Sequence, residues 1–260
     1  MSLPVVSDPF YWTDESWGPA LHCRAIDAIA PGLFTTRTLP LSAGADWARL
    51  AKSVNATAVV SLTQVHGNRA VIIRQGQPVP VERPEADILV SDHPEVAIAV
   101  RAADCVPLLL ADSRTGAVAA IHAGWRGTAA AAARVAVETL RSEFGVDPAD
   151  VCAALGPSIG ACCYEVGTDL VDAFAAAGHS RDLIDRWFLA RPPERGSRER
   201  PRLRLDVAGA NRDQLILAGV RDGNIHTSGL CTAMHLDVLT SFRAEKDRAG
   251  RLGGVIRARG

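Results

Sequence analysis

Net charge, long apolar runs and internal repeats are nearly absent from this chain of 260 residues. Its 28 basic and 29 acidic side chains leave a formal charge of −1, so charge provides no argument for a nucleic-acid or membrane partner. No run approaches the length of a transmembrane helix. Residues 1–18 lack the basic start and apolar segment of a signal peptide. We therefore expect a cytoplasmic protein.

Paired ligand motifs are also missing. The sequence contains no C-x-x-C, H-x-H or H-E-x-x-H pattern. Scattered histidines argue against a multicopper oxidase, which needs many imidazoles close together. We expect all the cysteines to be reduced thiols and most of them to be buried, because a free cysteine behaves as a small apolar residue. They are Cys23, Cys105, Cys152, Cys162, Cys163 and Cys231. We expect no disulfide between the adjacent Cys162 and Cys163, because it would strain the peptide.

The composition is that of a soluble globular protein, with 48% apolar and 22% charged residues. The length lies between one and two typical domains. We expect a single domain over residues 1–260, with its motifs at about 34–257 and an irregular segment over residues 1–20.

Short apolar runs predict closely spaced strands in the middle of the chain: Ala58–Val65, Arg69–Arg74, Asp87–Val90, Val96–Arg101, Val106–Ala111 and Ala117–His122. A turn at Ser113–Gly116 separates the last two strands, so we expect them to pair as a hairpin.

Helices are predicted mainly in the second half. One begins after Thr128 as its N-cap and ends at Gly145. The other predicted elements are a strand at Val151–Leu155, helices at Thr168–Ala177 and from Asp206 to about Ala218, and short strands near Ile225 and Val255. The Arg- and Pro-rich segment Arg191–Arg204 is predicted to be an exposed loop. Because strands cluster before helices instead of alternating with them, we expect an α+β fold with layered sheets.

Three side chains stand at the ends of the predicted strands: His66, Cys105 and His122. Two imidazoles and one thiolate form a competent zinc set, with a fourth position left for water or substrate. The same groups also suit a Cys–His nucleophilic pair, and three unrelated residues are the plainer alternative. The expected hairpin places His122 near the start of the Val106–Ala111 strand, and therefore near Cys105.

Two glycine-bracketed loops follow strands. In the first, HAGWRGT (residues 122–128), the glycines permit a close backbone approach, and the helix start together with Arg126 suits an anion. The alternative is a tight turn with Trp125 packed and Arg126 solvated. In the second, GPSIGACCYE (residues 156–165), Tyr164 or Glu165 reaches the site, or the loop is a simple connection.

These motifs, in this order, resemble one known family. TQVHG, ADCVPLLLAD, HAGWRGT, ALGPSIG with CYEVG, LCTA and SFR are similar to the motifs of the YfiH/DUF152 family. Its members are described as multicopper polyphenol oxidase (laccase domain), peptidoglycan editing factor or purine nucleoside phosphorylase. The resemblance runs from about Phe34 to the C-terminus.

The resemblance implies an α/β layered sandwich related to a cysteine-hydrolase-like toxin domain. It implies a zinc ligand set at His66, Cys105 and His122, where copper is also possible. The implied partners are small molecules, a purine nucleoside and phosphate, and we expect a monomer or weak homo-oligomer. The expected catalytic residues are these three and Arg126, and the expected substrate-binding residues are Arg37, Gln64, Trp125, Tyr164 and Glu165.

One departure from the family concerns Arg37. The family continues this segment with a Gly-Gly-x-Ser stretch, whereas here Thr38-Leu39-Pro40-Leu41 follows. The substrate wall that contains Arg37 is therefore altered, which affects the expected substrate more than the expected metal site.

Four functions are weighed. The first is a zinc-dependent enzyme that phosphorolyses adenosine, inosine, guanosine or methylthioadenosine and deaminates adenosine. The second is a Cys–His amidase that edits peptidoglycan precursors, with Cys105 as nucleophile and His122 as base. The third is a copper-dependent polyphenol oxidase. The last is a metal-stabilised binding module, whose closed site would take a fourth ligand such as Cys231.

Overall fold

A computed structural model describes residues 3–191 and 202–259. Its strands, in chain order, are β1 (Phe10–Glu15), β2 (Gly18–Cys23), β3 (Gly32–Phe34), β4 (Ala58–Ser61), β5 (Ala70–Ile73), β6 (Ile88–Ser91), β7 (Val96–Ala102), β8 (Val106–Asp112), β9 (Val118–Ala123), β10 (Val151–Leu155), β11 (Glu165–Val166), β12 (Phe188–Arg191), β13 (Arg202–Leu205), β14 (Ile225–Thr227) and β15 (Leu252–Arg257). The helices are α1 (Arg24–Asp27), α2 (Gly44–Ser53), α3 (Trp125–Ala129), α4 (Ala132–Phe144), α5 (Thr168–Ala176), α6 (Arg181–Trp187), α7 (Val207–Leu217) and α8 (Phe242–Glu245).

Two six-stranded sheets form the centre of the molecule. One has the order β1-β2-β3-β15-β7-β4 and the other β14-β10-β8-β9-β6-β5. Both are mixed, since β4 is parallel to β7 and β5 is parallel to β6 while their other neighbours run antiparallel. A small third sheet has the order β11-β13-β12. The predicted α+β layered architecture is therefore confirmed.

Alternation along β8 explains the layers. Leu108 and Leu110 pack into the core beneath the helices α4 and α7, whereas Leu109 and Ala111 pack into the core between the two large sheets. Successive side chains of a strand point to opposite faces, so β8 is buried on both sides. A third, smaller core covers the outer face of the first sheet beneath α2.

The predicted hairpin is present and sets the geometry of the site. β8 and β9 pair antiparallel, with Val106 opposite Ala123 and Pro107 opposite His122. Cys105 immediately precedes β8, and His122 is the second-last residue of β9. The hairpin therefore brings these two residues together at one end of the two strands.

The helix predicted to begin after Thr128 is instead two helices. α3 starts earlier, at Trp125, and a left-handed residue, Ala131 with φ 58°, separates it from α4. Thr128 does not cap a helix. It is buried, and its hydroxyl accepts a hydrogen bond from Asn211 at 2.8 Å. The predicted end at Gly145 is confirmed, with φ 68°.

Two segments are more ordered than the sequence predicts. Residues 1–20 were expected to be irregular, but β1 and β2 form a hairpin in which Phe10 pairs with Cys23. The Arg191–Arg204 segment was expected to be a loop, but its two ends belong to the paired strands β12 and β13. Strand pairing satisfies their backbone groups, which composition alone does not indicate. Residues 192–201 of that segment lie outside the described residues.

Within residues 3–191 and 202–259, no helix has the length and apolar character required to span a membrane.

Candidate active site

His66 lies in the loop between β4 and β5, in a left-handed conformation with φ 63°. Such a conformation is costly for a residue with a side chain, so neighbouring contacts must hold it. Asp87 supplies them. Its carboxylate accepts hydrogen bonds from the backbone N–H of His66 at 3.0 Å and of Gly67 at 2.6 Å. His66 is thereby fixed with its side chain exposed to the solvent side of the site.

Cys105 follows a second strained residue, Asp104, with φ 88°. The carboxylate of Asp104 accepts hydrogen bonds from the Thr232 hydroxyl and the Arg243 backbone N–H, both at 2.6 Å. Its carbonyl oxygen accepts one from the backbone N–H of Ile159 at 2.9 Å. Three segments distant in sequence therefore hold the turn that presents Cys105.

His122 is only 3% exposed, and its Nδ1 lies 2.8 Å from Oδ1 of Asp87. An ionised carboxylate can only accept, so Nδ1 of His122 carries the hydrogen. This leaves Nε2 for Cys105. Asp87, which is fully buried, therefore orients His122 as well as the loop of His66.

The three side chains meet at one point. One nitrogen or sulfur atom from each of His66, Cys105 and His122 lies within 4.8 Å of the others. The two imidazole rings are 4.9 Å apart at an interplanar angle of 77°. Gly124 makes this approach possible, because a Cβ atom there would lie 2.7 Å from the Cys105 sulfur and 3.2 Å from Cδ2 of His66.

The charges of this group are coupled. Burial by itself raises the pKa of Cys105, but hydrogen bonds and positive charge from His122 and His66 outweigh it and lower the pKa to about 6. Burial lowers the pKa of His122, but Asp87 and Cys105 together raise it to about 9. Burial likewise raises the pKa of Asp87, and the hydrogen bonds from His122 and Gly67 bring it below its usual value. The thiolate is therefore the stable form of Cys105 at neutral pH.

The group fits a metal ion. A set of two imidazole nitrogens and one thiolate sulfur is suited to zinc or copper. A carboxylate behind a ligating histidine, as Asp87 stands behind His122, is the usual support of such a ligand. Cys231, the expected fourth ligand of a closed site, does not join this group but clusters with Cys162 and Cys163.

A cavity of about 570 Å³ opens on the group. It is lined by Thr63, Gln64, His66, Arg101, Ala102, Ala103, Asp104, Cys105, His122, Gly124, Trp125, Ile159, Tyr164, Val207, Phe242, Arg243, Lys246 and Arg251. Its volume is in the range of small-molecule sites. Aromatic and cationic side chains are both present in its wall.

The expected substrate-binding residues divide into two groups. Gln64, Trp125 and Tyr164 line the cavity, whereas Arg37 and Glu165 do not. Arg37 bonds the carboxylate of Glu245 at 3.0 Å and the carbonyl oxygen of Leu236. The carbonyl oxygen of Glu165 accepts a hydrogen bond from the Arg243 guanidinium at 2.8 Å. Glu165 therefore contacts a residue of the cavity wall, Arg243, whereas Arg37 contacts the end of α8, the helix that supplies Phe242 and Arg243 to the wall.

Arg126, the expected anion-binding residue, also lies outside the cavity lining. Its guanidinium stacks over the ring of Trp125, 4.3 Å from the ring centroid, and is exposed. Arg126 is therefore placed as in the alternative interpretation of the HAGWRGT segment, in which its side chain is solvated.

Sequence reasoning missed the cations that do line the cavity, Arg101, Arg243, Lys246 and Arg251. Arg101 is the most informative, because its Nε is buried without a hydrogen-bond partner among the described residues. Burial, and then the positive charges of Arg83 and Arg251, lower its pKa. In the sequence, Arg101 could have been noticed as a charged residue at the end of the apolar run that forms β7. The convergence of Arg251 on it depends on the pairing of β15 with β7.

Asp87 was missed as well. It lies between Ala86 and the apolar strand β6, and a carboxylate in such a run is rarely buried without a partner. That position was a usable signal.

Comparison with known sequences places these features in context. Residues 40–259 match the sequence model of a family described as multi-copper polyphenol oxidoreductase laccase. A purine nucleoside phosphorylase of Bacteroides thetaiotaomicron is 36% identical over 171 residues, which cover 65% of this chain and 60% of that protein. One from Deinococcus radiodurans is 36% identical over 256 residues, which cover 90% of this chain and 91% of that protein. A protein named adenosine deaminase RL5, from an unknown prokaryotic organism, is 36% identical over 194 residues, 72% of this chain and 70% of that protein.

Solved structures share the whole fold. The hypothetical protein YfiH of Bacillus licheniformis superposes with a TM-score of 0.83 at 25% identity, over 97% of this chain and 100% of that one. YlmD of Geobacillus stearothermophilus gives 0.77 at 27% identity, over 97% and 100%. The DUF152 protein NMB0706 of Neisseria meningitidis gives 0.71 at 26% identity, over 96% and 99%.

Proposed function

The chain belongs to the YfiH/DUF152 family, the laccase-domain family whose sequence model it matches, and we propose that it is a zinc-dependent purine nucleoside phosphorylase. One observation carries the proposal. Arg101, with its unpartnered buried Nε, lines the same cavity as His66, Cys105 and His122. Arg101 is half-buried, and a cation whose buried nitrogen has no protein partner suits the binding of an anionic substrate.

Phosphate is the anion that phosphorolysis requires. Arg101, Arg243 and Arg251 line one cavity with Lys246, and the lowered pKa of Arg101 reflects its burial and like charges around it. A bound dianion relieves that repulsion. An arginine guanidinium can donate two parallel hydrogen bonds to the oxygens of a phosphate. Arg101 and Arg251 are therefore the proposed phosphate ligands. Gln64 holds the backbone of Arg101 in place. Its amide oxygen accepts a hydrogen bond from the Arg101 N–H at 2.8 Å, and its NH₂ group donates one to the Arg101 carbonyl oxygen at 2.6 Å.

The purine is proposed to bind against the aromatic wall. Trp125, Tyr164 and Phe242 line the cavity, and flat aromatic faces suit a planar heterocycle. Burial, together with the neighbouring Cys105, raises the pKa of Tyr164 to about 12. Its hydroxyl therefore keeps its proton at neutral pH and can donate a hydrogen bond to the departing base.

The proposed reaction joins a phosphate oxygen to C1′ of the ribose while the bond from C1′ to the purine nitrogen breaks. The bond electrons leave with the base, which takes up a proton, and the other product is ribose 1-phosphate. Positive charge grows on the ribose in the transition state. The cavity cations hold the phosphate next to that charge, and positioning of the two reactants supplies much of the rate.

His66, Cys105 and His122 are the proposed ligands of zinc in this enzyme, with copper as the competitor for the same donors. A zinc ion held by these residues would supply Lewis-acid chemistry. That chemistry also suits deamination of adenosine, and the similarity to the protein named adenosine deaminase RL5 supports it as a second activity. Asp87 keeps His122 in the tautomer that ligation needs.

A Cys–His amidase is the second candidate, and a specific observation favours it. Cys105, His122 and Asp87 stand in the order nucleophile, base and orienting carboxylate, the arrangement of a cysteine hydrolase. The lowered pKa of Cys105 suits a nucleophile as well as a metal ligand. Phosphorolysis needs a bound phosphate whereas amide hydrolysis does not, and the unpartnered Nε of Arg101 in the cavity wall suits that anion, which is why we place phosphorolysis first.

Product analysis separates these functions. The purified protein, prepared without affinity-tag metals, is incubated with inosine in the presence and absence of phosphate. We expect hypoxanthine and ribose 1-phosphate in equal amounts, and only with phosphate. Free ribose formed at the same rate without phosphate would replace phosphorolysis by hydrolysis. No turnover of inosine, adenosine or guanosine, together with cleavage of a peptidoglycan peptide, would favour the amidase.

A further inference from the structure

A second group of sulfur atoms lies outside the cavity. The Sγ atoms of Cys162, Cys163 and Cys231 all lie within 4.8 Å of one another, and none of the three residues lines the cavity. No disulfide joins them. Cys162 is exposed, Cys163 is half-buried and Cys231 is buried, so solvent reaches the group at Cys162. The nucleoside reaction proposed above makes no use of it.

The fold builds this group from two separate segments. A tight turn follows Gly160, whose carbonyl oxygen accepts hydrogen bonds from the backbone N–H of Cys163 and of Tyr164, both at 2.9 Å. Cys231 reaches the turn through a parallel bridge to Ser158. Its sulfur accepts a hydrogen bond from the Gly160 N–H at 3.3 Å. The backbone therefore fixes the buried sulfur and leaves the other two facing it.

Gly160 also keeps the space between the sulfur atoms open. A Cβ atom at this position would lie 3.2 Å from the Cys162 sulfur and 3.6 Å from the Cys231 sulfur. An alanine would therefore crowd the Cys162 sulfur, whereas its contact with the Cys231 sulfur would be an ordinary one. Glycine leaves the Cys162 sulfur room to turn towards a common ligand.

A cation stands beside the group. The Arg204 guanidinium donates hydrogen bonds to the carbonyl oxygens of Ala161 and Cys162. Three thiolates around a monovalent metal ion carry a net charge of −2, so a neighbouring guanidinium stabilises the loaded form.

We propose that Cys162, Cys163 and Cys231 form a second metal site, which binds a soft monovalent ion, Cu⁺. Donor sets made only of thiolates select Cu⁺ and related soft ions over harder ones. Structural zinc sites almost always have four protein ligands. Among the described residues, no fourth His, Cys, Asp or Glu joins this group, which favours a three-coordinate ion. The inference does not depend on the proposed nucleoside chemistry.

The bound ion would join two segments that support the cavity wall. The hydroxyl of Thr232, next to Cys231, bonds the carboxylate of Asp104 at 2.6 Å, and Tyr164, next to Cys163, lines the cavity. A link between these segments holds the turn of Cys105 from behind. Because an ion that binds the folded protein more tightly than the unfolded chain stabilises the fold, loading should raise the melting temperature.

The test uses Cu⁺ supplied as its bicinchoninate complex to metal-free protein without oxygen. The His66→Ala/Cys105→Ser variant removes the cavity ligands and leaves the thiol group intact. We expect this variant to take up one Cu⁺ per chain, with a sulfur-only first shell in X-ray absorption. Adding Cys162→Ser, at an exposed position, should weaken binding by more than the roughly 10–100-fold that loss of a supporting residue costs.

Cys152→Ala in the same background is the matched control, since Cys152 is a buried cysteine outside both groups, and it should leave Cu⁺ binding unchanged. Melting curves establish that each variant is folded, and Cys163→Ser provides an independent second removal. Unchanged Cu⁺ affinity in the folded Cys162→Ser and Cys163→Ser proteins would overturn the proposal. So would nitrogen ligands in the first shell, or zinc that binds this group in preference to Cu⁺.

Discussion

Asp87 Oδ1 lies 2.8 Å from Nδ1 of His122 and 3.0 Å from the backbone nitrogen of His66. A single buried carboxylate therefore positions two of the three residues of the site. It sets the tautomer of one imidazole through its side chain and the loop of the other through its backbone. The remaining member, Cys105, is positioned by the preceding residue Asp104, whose carboxylate accepts hydrogen bonds from Thr232 and Arg243.

Asp87→Asn should weaken zinc affinity by roughly 10–100-fold, because the amide supports His122 less well than the carboxylate does. It should also lower the free energy of unfolding by about 1–3 kcal/mol, because an amide NH₂ cannot accept the backbone N–H bonds of the His66 loop. Zinc competition titration and thermal melting measure the two effects. Asp112→Asn is the matched control. Asp112 is also buried, but it accepts a hydrogen bond in the turn of the β8–β9 hairpin, at the opposite end from His122. Its replacement should therefore change stability alone. Equal zinc affinities in both variants would contradict the role of Asp87.

Gly124→Ala should disrupt the site without unfolding the protein. The added methyl group would lie 2.7 Å from the Cys105 sulfur, so the sulfur must move away from the two imidazoles. We expect loss of stoichiometric zinc, measured by elemental analysis of the folded protein. Gly44→Ala is the control, because a Cβ atom at Gly44 meets nothing within 4 Å. Full zinc content in Gly124→Ala would show that the three side chains need not meet as described.

Arg101→Gln should raise the KM for phosphate by roughly 10–100-fold, the cost of about 1.5–3 kcal/mol for one charge-assisted hydrogen bond. The KM for the nucleoside should change much less. Arg126→Gln serves as the comparison, because Arg126 is exposed and lies outside the cavity lining. Steady-state kinetics with phosphate as the varied substrate decide the matter. A larger increase in the KM for phosphate in Arg126→Gln than in Arg101→Gln would contradict this assignment and place the phosphate site at the start of α3.

Alkylation of metal-free protein reports the charge state of Cys105. Hydrogen bonds and charge from His122 and His66 overcome the effect of burial and lower its pKa to about 6. A lowered pKa means that the thiolate forms above about pH 6 and is lost as the pH falls through that value. The iodoacetamide rate at Cys105 should therefore rise between about pH 5 and 7 and level off above. Peptide mass spectrometry reads each cysteine separately.

Cys152 is the internal control for that measurement, since burial raises its pKa to about 12, and it should stay unmodified. Bound zinc should protect Cys105 across the whole range. A rate at Cys105 that rises only above about pH 8, as for an ordinary thiol, would contradict the coupling to the two histidines.

The local sequence predicted the centre of the site well. The apolar runs of β8 and β9 and the turn between them predict a hairpin, and the register of that hairpin places Cys105 near His122. His66 joins them because its loop also precedes a strand of the same sheet. Cys105 and His122 stand at the same end of the β8–β9 hairpin, and His66 lies in the loop between β4 and β5. Local strand and turn patterns were therefore enough to single out the three residues of greatest chemical interest.

The cavity wall could not be predicted in the same way. Arg101 and Arg251 are 150 positions apart in the chain, and only the pairing of β7 with β15 brings their strand ends together. Arg126 was chosen instead, because its motif is local. The helix start was misplaced at Thr128 because the contacts that bury this residue come from Asn211 and Gln214 of α7. Tertiary contacts of this kind leave no trace in a local pattern.

The most direct test of the account is the metal content and the phosphorolysis rate of Cys105→Ser, measured on one preparation alongside the wild-type protein. If Cys105 is a zinc ligand in a nucleoside phosphorylase, zinc and ribose 1-phosphate formation should fall together, because a serine hydroxyl is a poor zinc ligand near neutral pH. A folded Cys105→Ser protein that keeps full zinc occupancy but has lost turnover would contradict this account and identify Cys105 as a nucleophile.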